Sequence, residues 1–107
     1  MCSEEAMFCA KVMKSLNDFR KEETFCDVKL SVQGKTFPAH RNVLSANSEF
    51  FKALFANEMK ENAENIVHMD EFEPQVLEEL LTYMYGGGIS IKRGNALDLA
   101  IGADFLF

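Results

Sequence analysis

The chain has 107 residues, enough for one domain and too few for two. Hydrophobic residues make up 48% of it, with ten Phe and no Trp, so it has the material for a packed core and is not a disordered chain. The 11 basic and 17 acidic side chains give a net charge of −6. A negative protein repels the phosphates of nucleic acid, so we do not expect it to bind DNA directly.

The first predicted element is an amphipathic helix from Glu4 to Lys21. This stretch contains no Gly or Pro, and its apolar residues recur at helical spacing. The apolar stripe consists of Cys9, Val12, Met13, Leu16 and Phe19. A helix that precedes a complete small core has spare apolar surface, so the stripe is either a self-association surface or ordinary core.

A β-hairpin is predicted after this helix. Val28, Leu30 and Val32 alternate with polar residues, Gln33-Gly34 offers a tight turn, and Pro38 ends the second strand. We expect one face of this hairpin to be buried.

Two successive helices and a third strand are predicted next. A short helix fits between Asn42 and Ala46, and Asn47-Ser48 can cap a second helix that turns Phe51 and Phe55 inward. The composition of residues 65–70 suits one more short strand.

A helix beginning near Pro74 has the clearest pattern in the chain, because Pro suits the first helical turn and the apolar residues that follow form one stripe. The stripe consists of Val76, Leu77, Leu80, Leu81 and Met84. The three glycines Gly86 to Gly88 end the helix, since each costs about 1 kcal/mol inside one.

The last predicted elements are a minimal strand at Ile89 to Ile91 and a helix from Asn95 onward. Leu97, Ile101 and Phe105 lie four residues apart in that helix. The sequence stops at Phe107 without a helix-ending signal, so we expect the natural domain to continue or the chain to be a truncated product.

No motif of an enzyme, a metal site or a cofactor site is found, so we predict a protein without catalytic activity or cofactor. We expect a structural hydrogen-bonding role for His40, with ligation or catalysis as the alternative, and a partly exposed strand position for His68. The three cysteines, Cys2, Cys9 and Cys26, form neither an even disulfide set nor paired metal knuckles, so we expect reduced thiols. No apolar run approaches the roughly 20 residues that cross a bilayer, and the N-terminus is acidic. We expect a soluble cytoplasmic protein, with the nucleus as a second location.

Nearly the whole chain resembles the BTB/POZ domain, most closely the BTB domains of kelch-like proteins. The matching segments are Phe25-Cys26-Asp27-Val28, Phe37 to Arg41, Val43 to Ala46, Ser48 to Phe55, Glu73 to Tyr85 and Asn95 to Phe107. The resemblance implies an α/β (α+β) fold in which a cluster of helices is flanked by a short, mostly three-stranded sheet. It also implies a dimerisation helix at 1–24 and a BTB/POZ core at 25–107 that is incomplete at its C-terminus.

The resemblance further implies a domain-swapped homodimer and an adaptor role in cullin-3 ubiquitin ligases, with the substrate recruited by a downstream domain and no direct contact with nucleic acid or membrane. Met59-Lys60-Glu61 fits the pattern that contacts the cullin-3 N-terminal domain, with Met59 and Glu61 as the binding residues; an exposed loop with an incidental Met is the alternative. Asp27 and Arg41 match a charged pair near the dimer interface, which is either a partner-binding pocket or a structural ion pair. The dimer interface itself would be formed by Cys9, Met13, Leu16 and Phe19.

The family commonly has Thr-Gly or Ser-Gly where this chain has Gly86 to Gly88, so we expect looser local geometry there. The alternative function is a BTB domain of a transcription factor that recruits corepressors, which sequence beyond Phe107 would distinguish from an adaptor.

Overall fold

A computed structural model describes residues 3–57, 65–88 and 94–107. In these ranges the chain forms helices packed beside a small mixed sheet, as the sequence predicts. The elements are α1 (Glu4–Lys21), β1 (Val28–Val32), β2 (Lys35–Ala39), α2 (Arg41–Asn47), α3 (Glu49–Asn57), β3 (Ile66–His68), α4 (Pro74–Met84) and α5 (Ala96–Leu106). No helix within the described ranges combines the length and the apolar character needed to cross a bilayer.

The sheet has the strand order β2-β1-β3, with β1 in the middle. β1 pairs antiparallel with β2 and parallel with β3, and Leu30 is aligned with Phe37 on one side and Val67 on the other. The alternation of β1 is confirmed, because Val28, Leu30 and Val32 are all buried. Pro38 lies inside β2 instead of ending it, which an edge strand tolerates because one side of its backbone has no strand to bond.

Ser48 joins the start of α3 to the end of α5. Its hydroxyl accepts a hydrogen bond from the Phe51 backbone N–H at 3.2 Å, which confirms the predicted cap, and it donates to the Leu106 carbonyl at 2.6 Å. Asn47 similarly joins α2 to α4, since its side-chain amide donates to the carbonyls of Val43 and Met84, each at 3.0 Å. Two polar side chains at one turn therefore hold four helices together.

Helix α4 is the centre of the core. Its predicted apolar stripe is confirmed in full, with all five members buried: Val76, Leu77, Leu80, Leu81 and Met84. The first two of the glycines after it are held by hydrogen bonds, in contrast to the looser geometry expected there. The Gly86 N–H donates to the Tyr83 carbonyl at 3.0 Å and the Gly87 N–H donates to the Thr82 carbonyl at 2.9 Å, with Gly86 at φ +86°. This is a Schellman ending, which satisfies the last carbonyls of a helix and requires a residue with positive φ.

Helix α5 does not bury the large apolar residues that recur four residues apart in its sequence. Leu97, Ile101 and Phe105 point outward, with 72%, 61% and 48% of their surfaces exposed. The expected uncovered face is therefore present in this structure. The residues that α5 buries are Leu99, Gly102 and Leu106.

Candidate functional site

Helix α1 has one side against its own chain and one side open to solvent. Ser3 caps it by accepting from the Ala6 N–H at 3.1 Å. Glu4 and Glu5 lie in its first turn and Arg20 and Lys21 in its last, which suits the helix dipole at both ends. Arg20 is nevertheless its only buried residue, so this long helix contributes little to the core.

The four residues predicted for the dimer interface share one broad stripe of α1 but differ in burial. Met13 and Leu16 are half-buried and pack against the chain's own core. Cys9 is exposed, and Phe19 is half-buried with its ring centroid 5.4 Å from that of Phe25. Part of the predicted stripe therefore packs within the chain, as the ordinary-core interpretation expects.

The apolar side chains that α1 leaves open are Met7, Phe8 and Val12, and Phe8 is 67% exposed. Phe8 and Val12 are four residues apart and share a face with Phe19, because successive helical residues turn by about 100°. Val12 belongs to the predicted stripe, whereas Met7 and Phe8 do not. The feature of the sequence that could have identified Met7 and Phe8 is the presence of two large apolar residues close to the N-terminus.

Where α1 ends, its attachment to the core is polar. The Arg20 guanidinium lies 5.1 Å from the centroid of the Tyr85 ring and donates twice to the Asn17 side-chain oxygen, at 3.0 and 2.8 Å. Burial lowers the pKa of Arg20 and raises the pKa of Tyr85 to about 12. The Tyr85 side chain is therefore a neutral phenol at physiological pH, able both to accept and to donate.

His40 is a buried structural histidine at the junction of β2 and α2. Its backbone N–H donates to the Tyr85 hydroxyl at 2.9 Å, its Nδ1 is 2.7 Å from the same hydroxyl, and its Nε2 is 3.0 Å from the Thr24 carbonyl. Cys26 lies beside this network, with its Sγ 3.7 Å from both Nε2 and the Thr24 carbonyl. Burial raises the pKa of the Cys26 thiol, which keeps it in the less reactive neutral form.

Asp27 and Arg41 are adjacent, but their side chains do not form the expected ion pair. The Asp27 carboxylate accepts from the Arg41 backbone N–H at 2.7 Å and so caps α2 from outside that helix. The Arg41 guanidinium instead donates to the Asp27 carbonyl at 3.2 Å and to the Asn65 side-chain oxygen at 2.8 Å, and lies 5.1 Å from the Phe55 ring centroid. The pair has a clear structural use, and a partner-binding role for it remains a prediction.

Asp27 and Arg41 do line an open cavity of about 530 Å³ between α1 and α2. One wall is apolar and carries Leu16, Phe19 and Phe25. Phe25 is 78% exposed and has φ +59°, a conformation that costs a bulky residue free energy. The exposed aromatic side chain thus extends the open apolar surface of α1.

A second exposed apolar surface lies on α5. The Phe105 ring packs on Phe50 of α3, with centroids 4.7 Å apart, and on Phe72, with centroids 5.6 Å apart. Exposed Phe107 extends the same helix end. This surface is close to α3, the helix that leads to the predicted cullin-binding motif.

Several predictions lie outside the described residues. Met59 and Glu61 fall within residues 58–64, Ile89 to Ile91 within 89–93, and Cys2 before residue 3. Among the residues that are described, no group of three His, Cys, Asp or Glu side chains is arranged to hold a metal ion.

Comparison with known proteins gives a consistent assignment. The family model described as "BTB/POZ domain" matches residues 16–106. Kelch-like protein 7 of Homo sapiens and of Mus musculus are each 40% identical to this chain over 96 residues, which is 90% of the chain. Kelch-like protein 25 of Xenopus tropicalis is 41% identical over 89% of it. The chain spans 16% of the length of each of these relatives.

A solved structure, the BTB domain of zebrafish PATZ1, superposes with a TM-score of 0.84 at 30% sequence identity. The match covers 99% of this chain and 86% of that one. The similarity therefore includes every element described above.

Proposed function

Because this chain belongs to the BTB/POZ family, whose members are protein-interaction domains, we propose that it homodimerises through α1 and docks the N-terminal domain of cullin-3 as part of a ubiquitin ligase adaptor. The similarity to kelch-like proteins supports the adaptor role, and a non-enzymatic module acting in the cytoplasm fits it. Substrate recruitment would belong to another part of the protein.

The observation that carries the dimer is the open apolar face of α1. Helix α1 exposes Phe8 and Val12 to solvent and buries one residue, Arg20. Packing on its own chain therefore stabilises this helix only weakly. Each large apolar side chain removed from water contributes about 1.5 to 3 kcal/mol, so a second copy that covers this face would be held firmly.

A double variant Phe8→Ser and Val12→Ser tests the dimer. We expect light scattering to report a dimer for the unmodified chain and a monomer for the variant. These residues are better targets than Leu16, which packs against the chain's own core. The matched control is Lys21→Ser, an exposed position on the other side of α1, which should leave the mass unchanged. An unchanged mass in the double variant would contradict the assignment.

Cullin docking is supported by the resemblance of Met59-Lys60-Glu61 to the cullin-binding pattern and by the exposed aromatic side chain of Phe105, which provides apolar surface beside α3. Met is flexible and suits a protein-binding surface, and a Glu carboxylate accepts directional hydrogen bonds. In this proposal Met59 and Glu61 contact the cullin, and Lys60 does not.

Calorimetric titration with the cullin-3 N-terminal domain tests this contact. Met59→Ala should cost about 2 kcal/mol, or roughly thirtyfold in affinity, and Met59→Glu should cost more because a charge would be desolvated. Lys60→Ala is the matched control and should bind normally. Full affinity in Met59→Glu would remove the motif from the proposal.

The alternative function is corepressor recruitment by a transcription-factor BTB domain. The similarity to the PATZ1 BTB domain favours keeping this alternative, because a BTB domain not named as kelch-like shares the fold closely. Absence of cullin-3 binding in the unmodified chain, with the dimer intact, would support it.

A further inference from the structure

Several contacts that orient α1 on its own chain lie at one place, the end of α4. The Met13 Cβ is 3.1 Å from where a Cβ on Gly86 would lie, so helix and turn are in close contact there. Two turns later Arg20 lies over the Tyr85 ring. Beyond the helix, the Thr24 carbonyl is bonded to His40, which is itself bonded to Tyr85.

The partners of His40 determine which of its nitrogens carries the hydrogen. The Thr24 carbonyl lies 3.0 Å from Nε2 and can only accept, so a neutral His40 carries its hydrogen on Nε2. Nδ1 is then the acceptor, and the Tyr85 hydroxyl donates to it at 2.7 Å while accepting from the His40 backbone N–H at 2.9 Å. The Thr24 carbonyl and the Tyr85 hydroxyl together fix the direction of these hydrogen bonds.

We propose that Tyr85 is a positioning residue for dimerisation, because its hydroxyl holds His40 in the orientation that bonds Thr24 and thereby sets the angle at which α1 presents Phe8 and Val12. This inference rests on the proposed dimer through α1. It goes beyond that proposal by assigning a dimerisation role to a buried residue that has no part in the interface.

The other contacts of α1 are mainly apolar. Met13 and Leu16 pack on the core, the helix also lies against β2, and Phe19 forms a T-shaped pair with Phe25. Apolar contacts are not directional, whereas hydrogen bonds and cation–π contacts define an angle. Without the hydroxyl, the His40 N–H and Nδ1 lose their shared partner in a buried place.

Tyr85→Phe is the direct test, since it keeps the ring under Arg20 and removes only the hydroxyl. We expect the dimer dissociation constant from sedimentation equilibrium to rise about tenfold, as for loss of one directional contact. Nitrogen-15 NMR of the imidazole should show the hydrogen on Nε2 in the unmodified chain, and the variant should show a changed Nδ1 chemical shift because Nδ1 loses its hydrogen-bond donor.

Three comparisons make the test decisive. Tyr83→Phe removes a hydroxyl from the neighbouring exposed tyrosine and should change neither measurement. Ser48→Ala lowers stability away from α1 and should leave dimerisation unchanged, which separates positioning from general weakening. If Tyr85→Phe does not fold, His40→Asn removes the bond to Thr24 and should weaken the dimer in its place.

The outcomes separate the two proposals. A dimer disrupted by the Phe8 and Val12 variant but unaffected by Tyr85→Phe would overturn the positioning role and leave the dimer proposal intact. Full dimer affinity in His40→Asn, where that variant replaces Tyr85→Phe, would likewise overturn the positioning role. A chain that stays monomeric in every form would overturn both.

Discussion

At the scale of single residues, Gly86 shows how one backbone conformation ends a helix. Its φ of +86° allows two hydrogen bonds to close α4, and the close approach of Met13 leaves little space beside it. A glycine here is required by both conformation and space, whereas the neighbouring Gly88 has neither constraint.

We therefore expect Gly86→Ala to lower the free energy of unfolding by about 1 to 2 kcal/mol, the cost of a left-handed L-residue. Gly88→Ala is the matched control and should be close to neutral, since nothing lies within 4 Å of its added Cβ. Urea denaturation of the three proteins measures both values. Equal midpoints for Gly86→Ala and Gly88→Ala would contradict this account of the turn.

The raised pKa of Tyr85 makes a prediction about alkaline stability. The ordinary value of 10.0 applies to the unfolded chain and about 12 to the folded one, so the folded state keeps the phenolic proton to higher pH. The stabilisation is fully present below pH 10 and is lost as the pH rises toward 12. Denaturation at several alkaline pH values should show a decline in this window that is smaller in Tyr85→Phe. An equal decline in both proteins would place its cause elsewhere.

At the scale of elements, the contact between α4 and α5 depends on the absence of a side chain at Gly102. A Cβ there would lie 2.8 Å from the Leu80 Cδ1 and 3.2 Å from the Phe72 Cε2. Glycine costs about 1 kcal/mol in a helix relative to alanine. The close packing of the two helices offsets that cost.

Replacing Gly102 by Val should lower the free energy of unfolding by about 1 to 3 kcal/mol, because the added methyl groups overpack a buried contact. Ala100→Val is the control, since it introduces the same β-branched side chain at an exposed position of the same helix. Thermal unfolding of both variants compares them directly. A loss at Gly102 no larger than that at Ala100 would mean that the helices adjust without cost.

At the scale of the whole molecule, local patterns predicted the elements well and the surfaces less well. The alternation of β1 and the stripe of α4 are visible in the sequence, because one buried face leaves a regular apolar spacing. The split of α1 into a core side and an open side is not visible, since Met13 and Phe8 are equally apolar. Which side faces the core depends on the position of α4.

The polar contacts were the least predictable. Tyr85 and His40 are far apart in the sequence, and neither residue alone indicates the bond between them. Asp27 was expected to pair with the Arg41 side chain, but its partner is a backbone N–H that every non-proline residue carries. The predicted cullin contact at Met59 and Glu61 stays a prediction.

In the sheet, β1 lies between β2, which is close to it in the sequence, and β3, which is far from it. This arrangement affects the order in which the strands pair during folding. β2 follows β1 after the two-residue turn Gln33-Gly34, whereas β3 begins only at Ile66, after both α2 and α3. Contacts that close short loops form early, and parallel pairing across a long connection carries a larger entropic cost and forms late. Removing side-chain bulk from the hairpin should therefore slow refolding, whereas doing so in β3 should mainly accelerate unfolding. Stopped-flow chevrons of Val32→Ala and Val67→Ala would report the sequence of these events, with the third strand joining a sheet whose first two strands are already paired.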